Sequence, residues 1–171
     1  MQPPGRRSRR EANRLDFERS ALPSTNNMQT IHIQGTELAY DETSVVTFDE
    51  GLIGLPQLRR MVLVRQTDIE PFMWLASLED EQTAFLVVEP LALFPDYAPH
   101  VPDDVHARLG AGRDERLLIL AIVLIAPDWE LSTVNLRAPL FISPGRMRGA
   151  QVVLTDSSYL AREPLPFDLA A

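Results

Sequence analysis

The side chains best suited to chemistry are three histidines, His32, His100 and His106, and a set of paired carboxylates. The segment His100-x-x-Asp103-Asp104-x-His106 contains metal-ligand types. Its spacing does not put two ligands on one helical face, and Pro99 and Pro102 interrupt it. A polar loop is the better reading, and a metal site would reveal itself as stoichiometric zinc in purified protein. Asp49/Glu50, Glu79/Asp80/Glu81 and Asp103/Asp104 are sequence neighbours. Neighbours on a strand point to opposite faces, so adjacency does not make a general acid/base pair. These acids read either as solvated loops or as contacts for a basic partner. Ser77, Ser132, Ser143, Ser157 and Ser158 lie outside any Gly-x-Ser-x-Gly elbow. Gly110-Ala111-Gly112 precedes Arg113-Asp114-Glu115 and makes no phosphate cradle. No catalytic residue, metal or cofactor is therefore assigned. A site assembled from distant residues leaves a small β-barrel enzyme or ligand-binding protein as the alternative.

The elements that would position any site are short strands. Ile31 and Ile33 alternate with polar neighbours, Val46 and Phe48 share a parity, and Met61–Val64 is a compact apolar run. Phe72, Trp74, Ala76 and Leu78 share one face, and Phe85 and Val87 another. Leu117–Ile125 reads as a central strand buried on both faces, with a helix as the competing assignment. Leu131–Leu136, Leu140–Ile142 and Gln151–Leu154 complete the series. Gly35, Asp49-Glu50-Gly51, Gly54, Pro71, Pro127-Asp128 and Pro144-Gly145 mark turns between them. The expected fold is mainly β: a small antiparallel barrel-like or sandwich domain of about eight to ten short strands. One or two short helices are added, at Pro102–Leu109 with Gly110 as its stop, and as a turn at Leu55–Arg60.

A chain of 171 residues with 45% apolar content suits one domain plus an appendage. There is no cysteine, which excludes disulfides and thiolate chemistry and accords with a reducing compartment. The apolar run Leu117–Ile125 falls short of the ~20 residues a membrane span needs. The polar N-terminus carries no apolar signal core. Residues 1–27 hold six arginines against Glu11, Asp16 and Glu18, a net +3, and are predicted to be a disordered Arg-rich extension. Met28 is an alternative natural start, and removal of residues 1–27 is expected to leave folding and binding intact. Residues 28–165 form the predicted β domain and 166–171 a tail. All 16 basic residues are arginine, and the ten beyond residue 27 face 21 acids, giving −11 within the overall −8. An acidic body disfavours direct nucleic-acid binding and favours a basic protein, or serves solubility alone. Phe94, Tyr97 and Tyr159 stand beside proline or polar residues, as exposed binding anchors or as packed loop lids.

Four segments taken in order resemble the flagellar assembly factor family FliW. They are Phe48-Asp49-Glu50-Gly51-Leu52-Ile53-Gly54-Leu55; Pro71-Phe72-Met73-Trp74-Leu75-Ala76-Ser77-Leu78; Phe85-Leu86-Val87-Val88-Glu89-Pro90 with Phe94-Pro95-Asp96-Tyr97; and Asn135-Leu136-Arg137-Ala138-Pro139-Leu140-Phe141-Ile142 with Arg148–Leu154 and Tyr159. Leu55 stands where that family usually has Phe, and Glu89 where it usually has Asp. The resemblance implies a cytoplasmic, non-enzymatic protein with a barrel-like fold, and a monomer is the default expectation. Its implied partners are flagellin and the translational regulator CsrA, with no direct nucleic acid and no membrane. A flagellin chaperone without CsrA contact is the narrower alternative. Capture of an amphipathic flagellin end needs an apolar groove or a strand edge. The family pattern does not say which positions touch a partner; the expected contact residues are Phe48, Leu52 and Leu55 in one loop and Phe94, Asp96 and Tyr97 in another, with Asn135 and Arg137 shaping the site. Asn135 reads equally as a turn residue bonding its own backbone.

Overall fold

Side chains alternate along a strand, so a run such as Arg60–Arg65, apolar at four successive positions, must be covered on both faces. The computed structural model describes residues 28–155 and 157–166 and shows how this is done. The strands are β1 (Met28–Ile33), β2 (Thr36–Asp41), β3 (Val45–Phe48), β4 (Arg60–Arg65), β5 (Phe72–Ser77), β6 (Ala84–Val88), β7 (Leu118–Leu124), β8 (Thr133–Val134), β9 (Leu140–Ser143), β10 (Arg148–Gln151) and β11 (Glu163–Pro164). One short helix, α1 (Val105–Arg108), precedes β7. Among the described residues no helix is long and apolar enough to cross a membrane.

Neighbouring strands run β7-β6-β5-β4-β3-β10-β9, and β9 pairs back onto β7, so seven strands close a ring. A closed ring with every neighbour antiparallel needs an even number of strands. Seven force one parallel seam, and it lies between β3 and β10, where Arg148 faces Thr47 and Gly149 faces Phe48. The expected barrel is thus present, antiparallel except at that seam. Its interior is filled by Val46, Phe48, Met61, Leu63, Met73, Leu75, Val87, Leu118, Leu120, Leu140 and Ile142, with Leu52 and Leu58 closing one end.

The outward-facing residues are covered in three places. The β1–β2 hairpin lays Ile31, Ile33 and Tyr40 over Val62, Val64 and Ala76. The segment after β6 lays Leu93 and Tyr97, with Val134 and Leu136, over Leu86, Val88, Ala121 and Val123. The helix α1 lays Val105 and Leu109 over Leu117, Phe141 and Ala150. Each cover buries apolar area worth about 25 cal/mol per Å², which is why the barrel strands read as continuous apolar runs.

Several sequence expectations shift. Strand β2 was not anticipated; its hairpin turns at Gln34 and Gly35, both at positive φ (52° and 79°), the conformation two-residue hairpin loops demand. The expected helical turn at Leu55–Arg60 is reduced to one bend, in which Leu58 N–H donates to Leu55 O (3.1 Å). Leu52 and Leu55 exchange backbone hydrogen bonds in a miniature hairpin, and the chain then enters β4 at Arg60. The expected strand Leu131–Leu136 shrinks to β8, because Trp129–Leu131 form a 3-10 turn with Asp128 as its cap. Strand β10 ends at Gln151, and Val152–Leu154 continue as extended chain beside Arg137–Pro139, with Val152 N–H donating to Pro139 O and Leu154 N–H to Arg137 O. Leu117–Ile125 is a strand and not a helix, but Leu124 and Ile125 emerge into solvent. The predicted extension 1–27, Asp156 and all of the tail except Pro166 lie outside the described residues.

Candidate functional site

The segment Phe48–Leu55 is built by close packing. Phe48 is 0% exposed and lies across β10, where a Cβ on Gly149 would sit 2.5 Å from its ring, so only glycine fits there. Gly51 has φ +69°, and a Cβ would meet Pro56 O at 2.6 Å. Leu52 N–H donates to Leu55 O (3.2 Å) and Leu55 N–H to Leu52 O (2.8 Å), leaving Ile53 and Gly54 at the tip. The tip borders a cleft of about 530 Å³, lined also by Arg108, Leu109 and Gln151. The adjacent acids are already paired within the chain, Asp49 with Arg148 and Glu50 with Arg108 (2.8 Å).

Gln151 joins this tip to the second predicted region. Its Oε1 accepts from Ile53 N–H (2.9 Å), and its Nε2 donates to Ala138 O (3.2 Å). Asn135 Oδ1 accepts from Ala138 N–H (2.9 Å), so Asn135 is a turn residue. The buried Tyr97 hydroxyl donates to Leu136 O (2.9 Å), and Tyr159 OH accepts from Ala98 N–H (3.0 Å). The two rings stack tilted, with centroids 4.6 Å apart. Burial, with a smaller contribution from Tyr159, pushes the Tyr97 phenol well above its ordinary range. Leu160 O accepts from both Leu136 and Arg137 N–H.

The eight positions predicted for contact therefore divide. Phe48, Leu52 and Tyr97 are buried and shape the surface without presenting any of it. Leu55, Phe94 and Asn135 are half-buried, while Asp96 and Arg137 are exposed. Sequence reasoning missed what stands beside Arg137. Ile53, Val153 and Leu160 are 45 to 55% exposed. Each is tied to the Asn135–Pro139 turn: Ile53 through Gln151, Val153 through the Leu154–Arg137 bond, and Leu160 through its own carbonyl. The signal available in the sequence was an apolar residue, Ile53, between the two glycines of a tight turn.

Two further surface features stand out. A groove of about 930 Å³ has Phe72, Met73, Leu91 and Ile119 along its walls, with Arg65, Glu89 and Arg113 among its charged residues. His106, which also lines it, is held at Nε2 by Glu115 O (3.0 Å). The turn between β7 and β8 exposes Leu124, Ile125, Trp129 and Leu131. Among the described residues no cluster of three His, Asp or Glu side chains is placed to hold a metal. Glu115 is engaged by Ser143 Oγ (2.5 Å) and Gly145 N–H (3.3 Å), a loop brace. Among the described residues these polar contacts brace loops within the fold.

Comparison with known proteins identifies a family. The family model FliW protein matches residues 29–165. The chain is 33% identical over 139 residues to flagellar assembly factor FliW 2 of Desulfotalea psychrophila, covering 81% of this chain and 91% of that protein. It is 37% identical to flagellar assembly factor FliW of Syntrophotalea carbinolica, covering 81% and 98%. A crystal structure of the flagellar assembly factor FliW superposes with a TM-score of 0.72 at 26% identity, covering 81% of this chain and 98% of that one.

Proposed function

The chain belongs to the FliW family, a family of non-enzymatic flagellar assembly factors, and from that premise we propose that it acts in the cytoplasm by holding flagellin and antagonising CsrA. The observation that carries the reading is the surface around Arg137. The backbone that carries three partly exposed apolar side chains, Ile53, Val153 and Leu160, is tied by hydrogen bonds to one turn. Apolar side chains on a fixed backbone beside one guanidinium suit the apolar face of an amphipathic segment, because little backbone entropy remains to be lost on docking. Flagellin ends before assembly are such segments.

The −11 charge of residues 28–171 supports the second partner. It draws in a basic RNA-binding protein and repels RNA itself, so CsrA is neutralised by being occupied and not by competition for its message. Coupling then follows by mass action: flagellin in excess holds the factor, and exported flagellin releases it to capture CsrA. The test is a titration of the purified chain, as a monomer, against flagellin and CsrA, alone and together. Mutual displacement, with CsrA binding weakening as salt rises, is the expected result. Flagellin binding without CsrA binding reduces the function to a chaperone's. Binding to neither overturns the reading.

A further inference from the structure

Among the described residues, four of the nine exposed large apolar side chains fall on eight consecutive positions. Leu124, Ile125, Trp129 and Leu131, at the turn joining β7 to β8, are 44 to 71% exposed. Apolar side chains scattered singly over a surface need no explanation, but four crowded onto one short turn do. This group is held outward. Leu131 N–H donates to Asp128 O (3.0 Å) and Ser132 N–H to Trp129 O (2.9 Å). Asp128 Oδ1 caps Glu130 N–H (3.2 Å). The hydroxyl of the fully buried Ser132 accepts from Ala126 N–H (2.9 Å). The Trp129 ring stands edge-on to Phe72, centroids 5.6 Å apart at 89°. The turn thus has a fixed shape in which it does not fold its own apolar groups inward. Phe72 also lines the 930 Å³ groove, so the apolar surface continues from the turn toward that groove.

The charges on the turn name its occupant. Asp128 and Glu130 are the only ionisable residues between Leu124 and Val134, and both are exposed. An apolar surface flanked by carboxylates on an acidic body complements an apolar face bordered by basic residues. We propose that the β7–β8 turn is a second docking surface, used by the basic partner, CsrA, with contacts distinct from those flagellin makes at the Arg137 surface, so that the two partners displace each other by steric overlap of their bulk and not by sharing contacts. This rests on the proposed function for the identity of the basic partner. The location rests on the turn alone.

The test uses the full chain with purified CsrA and purified flagellin as probes. Leu131→Ser is expected to weaken CsrA binding about tenfold or more, as loss of a central apolar anchor does. Leu131→Met should restore it to within about twofold, and flagellin affinity should stay unchanged for both. A Trp74→Phe background leaves Trp129 as the only tryptophan; its emission should shift to the blue on adding CsrA and not on adding flagellin. Circular dichroism checks that the variants fold, and Ile125→Ser replaces Leu131→Ser if that variant does not. Wild-type CsrA affinity in the serine variants overturns the proposal, as does an equal loss of both partners. If the unaltered chain binds no CsrA, the proposed function has failed and this assignment falls with it. If it binds CsrA but the turn is indifferent, this assignment alone has failed.

Discussion

The Arg137 surface and the β7–β8 turn expose similar apolar groups and are built in opposite ways. The first is assembled from residues far apart in the chain; Ile53 and Gln151, which bond each other, are 98 positions apart. The second is a local object, eight residues braced by Asp128, Ser132 and one ring contact. A surface assembled over long range inherits the stability of the barrel beneath it, whereas a local turn is altered without disturbing the fold. Substitutions should therefore separate the two surfaces by how much stability they cost for a given loss of binding.

The largest expected effect is on the barrel side. Phe48→Ala removes a fully buried ring from the interior and should cost about 3–5 kcal/mol, read as a fall in the urea midpoint. Flagellin binding should suffer with it. Gln151→Ala strips the tie between Ile53 and Ala138. It should cost about 1 kcal/mol and weaken flagellin without touching CsrA. A CsrA defect of equal size would show that the surfaces are coupled. Tyr97→Phe loses one hydrogen bond, again about 1 kcal/mol, and it also has a pH signature. The folded phenol titrates above the unfolded value of 10.0, so its contribution is complete below pH 10 and is lost as pH rises beyond it. Urea midpoints of the wild type should fall above pH 10 more steeply than those of Tyr97→Phe. Leu131→Ser should be the mildest for the fold, within about 0.5 kcal/mol, because the side chain is already in water. A larger loss would mean that the turn is structural.

The same contrast explains what the sequence disclosed. Strand positions were legible wherever alternation or an apolar run persisted, as in β4, β5 and β7. Strand β2 was missed because its alternation is short: only Leu38 and Tyr40 mark the inward parity, against Glu37, Ala39 and Asp41. The parallel seam was invisible, since parity follows from the number of strands that close and not from any one of them. Gly51 was legible as a turn former and Gly149 was not singled out; the clash each avoids is made with a residue elsewhere in the chain, Pro56 for one and Phe48 for the other. Phe48, Leu52 and Tyr97 were read as contact residues because an aromatic or leucine in a loop-like motif gives the same sequence signal whether it faces a partner or plugs a barrel. Side-chain type cannot separate those outcomes; burial does.

The parallel seam also fixes when the molecule becomes complete during synthesis. Strand β3 leaves the ribosome early, yet the neighbour that closes the ring against it lies about a hundred residues later, at Arg148–Gln151. Until that stretch emerges, β3 has one unpaired edge and Phe48 has no Gly149 to lie across. A nascent chain therefore holds an open, sticky sheet for most of its translation, and competence to sequester another protein arrives late, in a single closing step.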